Sequence, residues 1–239
     1  MTYYRSRLAR IHAADYTMYA RAAADRLLTE LGTGRGLVLD LGCGAGDLAD
    51  AVEGAGYDYL GIDLSADMVA LARRRRPGIR VEQGSAFDLP DLSGLRAIVA
   101  VGEVVNYAAD PRAGLAGIHA WLRTCRSLLA PGGLLLLDVA GPLRADPEPL
   151  TTVLAGDGYR LEVATVTDPG RTTLTRTIRI TDAEGEDVET HELELVEPVE
   201  ILAAMRSAGF EAIALAGYRD DLPFPRGWSG FLGRVILES

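Results

Sequence analysis

Short apolar runs alternate with amphipathic stretches over the first 140 residues of the chain. Five runs, at 37–41, 57–62, 79–83, 96–101 and 134–139, are rich in aliphatic residues and have the length of strands. The stretches between them repeat apolar residues at helical spacing. Buried strands that alternate with helices predict a parallel, doubly wound α/β sheet, in which ligands bind beyond the carboxyl ends of the strands.

The pattern changes after residue 141. Apolar and polar residues alternate at 159–165, 174–180 and 191–195, and turn-forming residues separate these segments. This alternation predicts an antiparallel meander inserted into the α/β fold. A last helix and two further strands complete a mostly parallel, seven-stranded sheet, and they cover 198–208, 211–218 and 234–237.

Helix signals flank the predicted strands. An alanine-rich stretch at 11–31 predicts a helix with one apolar side, and Ser65 predicts the N-cap of a helix at 66–75. The arginine run 73–76 ends that helix, where cations favour the helix dipole. Proline at its preferred first position predicts another helix at 111–129.

These elements predict four parts of the chain. An N-terminal helical cap (1–35) precedes a Rossmann-like core (36–140). An inserted subdomain (141–197) serves as a substrate lid or a dimerisation surface, and a C-terminal part (198–239) completes the sheet.

Composition limits the class of protein. With 239 residues, of which 48% are hydrophobic, the chain can bury a sizeable core. No apolar run approaches the ~18 residues that a membrane span needs, and the N-terminus lacks a signal-peptide core, so we expect a cytoplasmic protein with no membrane partner. The net charge of −10 argues against nucleic acid as a partner.

The inventory of reactive residues excludes several chemistries. All 24 basic residues are arginines, which excludes catalysis by a lysine. Cys43 and Cys125 fall in a loop and in a later helix, so they support no disulfide. The three histidines have no ligand spacing, and we expect no metal site.

A glycine-rich loop follows the first strand and opens a helix. Asp63, which ends the second strand, lies 17 residues after Gly46, near the ~20-residue spacing at which an acid meets a ribose in Rossmann-type sites. A dinucleotide would use Gly44, Gly46 and Ala49 as its fingerprint. The alternative is the register Asp40-x-Gly42-x-Gly44-x-Gly46, whose acid repels a pyrophosphate and suits a ligand that carries an ammonium group.

At this loop the chain resembles the class I S-adenosylmethionine-dependent methyltransferases, whose first motif is similar to residues 38–46. The Pro131-Gly132-Gly133 turn before a leucine-rich strand is also similar to that family. The resemblance implies S-adenosylmethionine as cofactor and a small-molecule methyl acceptor. It also implies an aromatic residue of the N-terminal segment at the cofactor, for which the candidates are Tyr3, Tyr4, Tyr16 and Tyr19, with Tyr16 counted among the cofactor-binding residues.

The resemblance also places the cofactor along the carboxyl edge of the sheet. The loop after the third strand borders the adenine in that family, and Ser85 stands where many relatives have an acid. The expected cofactor-binding residues are Asp40, Gly42, Cys43, Gly44, Gly46, Asp63, Leu64, Met68, Ser85, Ala86, Phe87, Gly102 and Tyr16.

Glu103 is the preferred catalytic candidate because it follows the fourth strand amid small and apolar residues. Desolvation would raise its pKa and make it a proton acceptor, or it could instead orient the cofactor. His12 and His191 are further candidates to face the substrate. The sequence does not choose among nitrogen, oxygen and carbon acceptors. A nicotinamide-dependent oxidoreductase and a catalytically silent cofactor-binding module remain alternatives, and a homodimer is a further expectation.

Overall fold

The computed structural model describes residues 3–15, 17–144 and 150–236. The helices are α1 Ser6–Asp15, α2 Met18–Leu31, α3 Ala49–Gly54, α4 Ala66–Arg75, α5 Leu115–Leu128 and α6 Pro198–Ser207, with a single 3-10 turn at Val104–Asn106. The strands are β1 Leu37–Leu41, β2 Asp58–Asp63, β3 Val81–Gln83, β4 Leu95–Ala100, β5 Leu129–Ala140, β6 Leu150–Gly156, β7 Tyr159–Thr167, β8 Thr173–Asp182, β9 Gly185–Glu194, β10 Phe210–Leu215, β11 Gly217–Arg219, β12 Leu222–Pro223 and β13 Trp228–Val235.

The predicted seven-stranded sheet is confirmed, with the order β10-β13-β5-β4-β1-β2-β3. Neighbouring strands from β5 to β3 run parallel, whereas β13 is antiparallel to both β5 and β10. Apolar side chains of α5 and α6 cover one face of the sheet, and those of α2, α3 and α4 cover the other. The sheet is therefore doubly wound, as continuous apolar strands require.

The stretch expected to form one helix at 11–31 contains two helices, since α1 ends at Asp15 and α2 begins at Met18. Only α2 packs on the seven-stranded sheet. Leu8 and Ile11 of α1 instead pack against Leu161 and two isoleucines of β8. The expected cap over the sheet is thus split, and its first helix packs against both α4 and the meander.

The expected helix start at Pro111 is wrong, because α5 begins at Leu115. Gly114 has a φ of +92°, which no helix accommodates. The Asp110 carboxylate also accepts a hydrogen bond from the backbone N–H of Arg112 at 2.8 Å, which forms a turn in place of the first helical turn. Helix α4, by contrast, has the expected bounds, and the Ser65 hydroxyl accepts from the N–H of Met68 as its N-cap.

The meander has four strands rather than three, in the order β6-β7-β8-β9. The pattern missed β6 because all of its residues are exposed, so that no alternation marks a buried face. The final strand was also predicted too short. It begins at Trp228 and pairs regularly with β5 over the six residues before Arg234. The sequence pattern missed these residues because glycines interrupt their apolar alternation.

Asn106 joins the two sheets where β5 and β9 end. Its side-chain amide donates to the carbonyl of Ala140 at 3.1 Å and to that of Glu194 at 2.6 Å, while its oxygen accepts from the N–H of Ala140 at 2.9 Å. Next to it, Tyr107 forms a β-bridge with Leu193. The division of the chain into four parts stays a prediction.

Membrane-spanning helices and metal-binding clusters are both absent from the residues that the structure describes. Their helices are too short or too polar to cross a membrane. Their histidine, cysteine and acidic side chains form no group of three that could hold a metal ion.

Candidate active site

A cavity opens at the carboxyl edge of the seven-stranded sheet, where the doubly wound topology predicts a ligand. It holds about 760 Å³ of empty space, counting its opening to solvent. Its walls combine the ends of β1, β2 and β4 with the segment before α1. The lining residues are Tyr3, Tyr4, His12, Gly42, Gly44, Asp63, Leu64, Ser65, Met68, Ser85, Ala86, Phe87, Val101, Gly102, Val104, Tyr107 and Asp110.

The glycine-rich loop is held to the end of β2 by one carboxylate. Asp63 accepts the N–H of Gly44 at 2.8 Å through Oδ2 and the N–H of Ser65 at 2.8 Å through Oδ1. Burial raises the pKa of Asp63, and the two backbone donors oppose that rise. Gly42, at a φ of +72°, leaves no room for a side chain, because a Cβ there would lie 2.3 Å from Cγ2 of Val104.

Two other glycines leave open space at the cavity. Gly44 and Gly102 have φ values of +54° and +100°, and a Cβ on either would meet no atom within 4 Å. Both residues line the cavity. A side chain there would enter the space that a ligand could fill, which is the usual reason for glycine where backbone approaches a ligand.

Asp40 and Cys43 are buried and are not among the lining residues. The Tyr59 hydroxyl donates to Oδ2 of Asp40 at 2.7 Å. Burial raises the pKa of Asp40 to about 7, although the Tyr59 hydroxyl counteracts that effect. The carboxylate therefore lies behind the glycine loop, and its predicted contact with a cofactor stays a prediction.

Ser85 stands where many relatives have an acid, and here Asp110 places a carboxylate beside it. The Ser85 hydroxyl donates to the Asp110 carboxylate and accepts the N–H of Phe87 at 3.1 Å. Arg112 donates to the same carboxylate at 2.7 Å and lowers the pKa of Asp110 to about 2. Asp110 was missed because it follows Ser85 by 25 residues in a loop without a motif.

Glu103 does not have the environment that was expected of it. Its carboxylate accepts from Nε of Arg144 at 2.5 Å and from Nη2 of Arg176 at 2.9 Å. Burial alone would raise the pKa of Glu103, but the two guanidinium groups outweigh burial and hold the pKa below its ordinary value. The expected raised pKa is wrong, and Glu103, which is not among the residues lining the cavity, is poorly suited to accept a proton.

Asp138, at the end of β5, fixes the turn that carries Glu103. Its carboxylate accepts the N–H of Gly102 at 3.0 Å, the N–H of Glu103 at 2.5 Å and the hydroxyl of Tyr218 at 2.6 Å. Burial raises the pKa of Asp138 to about 6, against the effect of these donors. Sequence reasoning missed Asp138, although an acid that ends a run of four leucines was a usable signal.

Aromatic side chains form another part of the cavity lining, Tyr3, Tyr4 and Tyr107 with His12, which we call the aromatic wall. The hydroxyls of Tyr4 and Tyr107 lie 2.9 Å apart, and His12 meets the Tyr4 ring edge-on. His12 lines the cavity, and burial lowers its pKa to about 4, so the imidazole is neutral near pH 7. His191 lies behind this wall, fully buried against Tyr3 and Tyr4, and is not among the lining residues.

The remaining predicted residues divide between the cavity and its surroundings. Leu64, Met68, Ala86 and Phe87 line it, as expected from their place after β2 and β3. Gly46 supports the loop from behind, since a Cβ there would lie 2.6 Å from Ile79. Tyr16 lies outside the described residues.

Ion pairs tie α1 to the hairpin formed by β8 and β9. Arg7 pairs with Asp182, and Arg10 pairs with Glu184 at 3.0 Å. Arg5, just before the helix, pairs with Asp187 at 2.6 Å. We call these three pairs the α1 latch. The Ser65 hydroxyl, which caps α4, also donates to the carbonyl of Tyr4 at 2.8 Å. The aromatic wall is therefore positioned by contacts to both sheets.

Residues 38–133 match the family model described as a methyltransferase domain. A curated relative, a ubiquinone biosynthesis O-methyltransferase from Bordetella avium (strain 197N), is 28% identical over 187 residues, which are 75% of this chain and 64% of that protein. The chain thus spans less than two thirds of the length of this relative.

Two solved structures share the fold along almost the whole chain. The CcbJ methyltransferase from Streptomyces caelestis has a TM-score of 0.78 at 19% identity and covers 99% of both chains. An amino pentose methyltransferase from Micromonospora echinaspora, solved with S-adenosylmethionine bound, has a TM-score of 0.72 at 23% identity and covers 98% of both chains. Residues 38–133 of the chain are a methyltransferase domain, and the whole chain shares the fold of these two structures.

The match to the methyltransferase domain covers only part of the residues that line or support the cavity. It includes the glycine loop, Asp63, Ser85 and Glu103. It leaves out Tyr3, Tyr4 and His12 together with the whole meander. The aromatic wall is therefore formed largely by parts of the chain that lie outside the matched domain.

Proposed function

We propose that this chain transfers a methyl group from S-adenosylmethionine to a small-molecule acceptor. The observation that carries the proposal is the cavity at the carboxyl edge of the sheet, whose lining combines glycines of the loop with aromatic side chains. The family match supports the cofactor. The printed names of the relatives, an O-methyltransferase of ubiquinone biosynthesis and an amino pentose methyltransferase, support a small acceptor.

The cavity residues that follow β1, β2, β3 and β4 have the chemistry to bind the cofactor. The open faces of Gly44 and Gly102 leave space for backbone contact with a ligand. Asp63 keeps acceptor capacity after receiving two backbone N–H groups, so we assign it to the ribose hydroxyls. Ala86 and Phe87 offer an apolar surface for the adenine, beside the Ser85–Asp110 pair. S-adenosylmethionine supplies, when bound, a methyl group on a sulfonium centre that a nucleophile can attack directly.

The aromatic wall would hold the acceptor. Tyr3, Tyr4 and Tyr107 offer ring faces, and the phenol hydroxyls of Tyr4 and Tyr107 can donate or accept a hydrogen bond. In the described residues that line the cavity, two carboxylates are present and no arginine. This balance favours a neutral or cationic acceptor over an anionic one. Nitrogen, oxygen and carbon acceptors all remain open.

The protein itself would contribute positioning and exclusion of water. Holding the acceptor in line with the methyl group is the main requirement of such a transfer. An imidazole with a pKa of about 4 is a weak base, so we assign His12 a hydrogen bond to the acceptor rather than proton abstraction. Arg144 and Arg176 remove Glu103 from the candidates for a base. Cytoplasmic location and the absence of a membrane partner stay predictions.

Calorimetric titration of the purified chain with S-adenosylhomocysteine tests the cofactor, with NADH as the comparison ligand. We expect the former to bind and the latter not to bind. Gly44→Ala should weaken binding at least tenfold because its methyl group enters the cavity. Gly78→Ala is the matched control, since Gly78 also has a positive φ and open space around it but is not among the lining residues. Tighter binding of NADH would favour the oxidoreductase and reject the proposal.

A turnover assay tests the transfer itself. Release of S-adenosylhomocysteine is measured with panels of small amines, alcohols and phenols at saturating S-adenosylmethionine. We expect turnover with at least one neutral or cationic acceptor. Cofactor binding without turnover across all three panels would support the silent cofactor-binding module instead.

A further inference from the structure

Ser85 and Asp110 are polar side chains that line the cavity together with the apolar Ala86 and Phe87. Both polar residues are buried, so a ligand meets them only through the cavity. A ligand can bond to them only at lone pairs or protons that the protein leaves unpaired. The hydrogen bonds around the pair therefore determine which chemical group this part of the cavity accepts.

The carboxylate of Asp110 has no acceptor site left for a ligand. Its Oδ1 accepts the backbone N–H of Arg112 at 2.8 Å and the Nε–H of the same arginine at 2.9 Å. Its Oδ2 accepts from Nη2 of Arg112 at 2.7 Å and from the hydroxyl of Ser85. A carboxylate offers about four lone-pair sites, and these four donors occupy them. Asp63 differs, because the two backbone N–H groups that it accepts leave half of its sites open.

The hydroxyl of Ser85 keeps acceptor capacity and no donor capacity. Asp110, with a pKa of about 2, is ionised near pH 7 and can only accept, so Ser85 must donate its single proton to it. The backbone N–H of Phe87 donates to the same hydroxyl oxygen at 3.1 Å and occupies one of its two lone pairs. One lone pair remains. Ser85 therefore offers a ligand an acceptor alone.

Further contacts hold this hydroxyl in place. Nε1 of Trp121 donates to the carbonyl of Ala86 at 2.8 Å. Nη1 of Arg112 donates to the carboxylate of Asp88 at 2.7 Å, and its guanidinium lies 5.5 Å from the centroid of the Phe87 ring. These contacts join the loop after β3 to α5 and to the loop before it. The position of the acceptor is thus set before a ligand binds, which lowers the cost of binding.

We propose that Ser85 selects a cofactor whose purine carries an exocyclic amino group, and that Asp110 is the positioning residue that fixes the direction of the Ser85 proton. The inference rests on the proposed function, in which the adenine lies against Ala86 and Phe87. An amino group donates to the remaining lone pair of Ser85. A 6-oxo group would place a second acceptor against that lone pair, and a site built to bond one partner rejects a ligand that leaves it unpaired.

Calorimetric titrations of the full chain with S-adenosylhomocysteine and with S-inosylhomocysteine, its 6-oxo counterpart, test the proposal. The native chain should prefer the amino ligand by about tenfold or more. The readout is the change of this preference in each variant, because groups that contact the rest of the purine act on every variant alike. Asp110→Asn should lower the preference about tenfold, since its amide can donate to Ser85 and release the hydroxyl proton towards the cavity. Ser85→Ala should also lower the preference, mainly by weakening the amino ligand.

Asp88→Asn is the matched control. It makes the same change at another carboxylate that accepts from Arg112, but Asp88 is not among the residues lining the cavity, so the preference should stay at the native value. If Asp110→Asn and Ser85→Ala weaken both ligands by the same factor, the pair only holds the two loops together and the proposal is wrong. Circular dichroism checks the folding of each variant, and Ser85→Ala alone decides the matter if Asp110→Asn does not fold.

The native chain separates this inference from the proposed function. Binding of S-adenosylhomocysteine without a preference over S-inosylhomocysteine would overturn the inference and leave the proposed function standing. Binding of neither ligand would overturn both.

Discussion

Nη2 of Arg176 lies 2.9 Å from Oε2 of Glu103, and both side chains are largely buried. The pair connects β8 of the meander to the turn after β4, across 73 residues of sequence. Arg144, which follows β5, donates to the other oxygen of the same carboxylate. Glu103 therefore holds three parts of the fold together.

Glu103→Gln should destabilise the chain by about 3 kcal/mol, because it leaves two guanidinium groups without their counter-charge. The folded pKa of Glu103 lies below its ordinary value, so the stabilisation is present at neutral pH. It is lost as the pH falls through the lowered folded pKa. Urea denaturation of both proteins between about pH 3 and pH 8 should therefore give curves that converge in acid. Equal stability at pH 7, together with a large loss of turnover, would instead restore Glu103 as a base.

Asp40→Asn should have the opposite pH dependence. Burial raises the folded pKa of Asp40 from 3.8 to about 7, so its stabilising contribution is present below about pH 4 and is lost as the pH rises through about 7. Asparagine keeps an acceptor for the Tyr59 hydroxyl and cannot ionise. The variant should match the native chain near pH 4 and exceed its stability near pH 8. A calorimetric titration with S-adenosylhomocysteine then tests the cofactor role, since unchanged affinity would assign Asp40 to the fold alone.

Asp63→Ala should weaken binding of S-adenosylhomocysteine about tenfold or more. It removes a partly buried charged acceptor, worth about 1.5–3 kcal/mol, and it leaves the N–H groups of Gly44 and Ser65 without their partner. Asp58→Ala is the control, because Asp58 is an exposed acid at the other end of the same strand. Calorimetry on both variants decides the matter, and equal affinities would remove Asp63 from the cofactor site.

The α1 latch should make ligand binding sensitive to salt. The pairs of Arg5 and Arg10 are partly exposed, and such pairs are individually weak and are screened at high ionic strength. About 1 M salt should therefore loosen α1 and raise the dissociation constant of S-adenosylhomocysteine severalfold. Arg7→Glu should reproduce this loss at low salt, and adding Asp182→Arg should reverse it. Arg179→Glu, which breaks a pair within the hairpin away from α1, should leave affinity unchanged. If the double variant does not regain affinity, the proposed role of the α1 latch in ligand binding is wrong.

Local signals in the sequence predicted the half of the cavity formed by β1 and β2. The loop from Asp40 to Gly46, the carboxylate of Asp63 and the cap at Ser65 each depend on neighbours within about twenty residues, which a pattern can record. The sheet order followed from continuous apolar strands, because such strands must be covered on both faces.

The other half depends on contacts between distant segments. Nothing near Glu103 in the sequence indicates Arg176, and a buried carboxylate without visible partners was assigned a raised pKa. Tyr107 and Asp110 reach the cavity because Gly114 delays α5 and leaves a loop in its place. Strand β6 escaped detection since it has no buried face to produce a pattern.

The α1 latch joins residues that leave the ribosome far apart in time. Arg7 and Asp182 are 175 residues apart, so at about 5–20 residues per second α1 is synthesised about 9–35 s before its partner strand. During that interval Leu8 and Ile11 have no meander against which to pack. A nascent chain stalled before β8 would therefore hold Tyr4 and α1 through Ser65 and α4, without the ion pairs of the α1 latch.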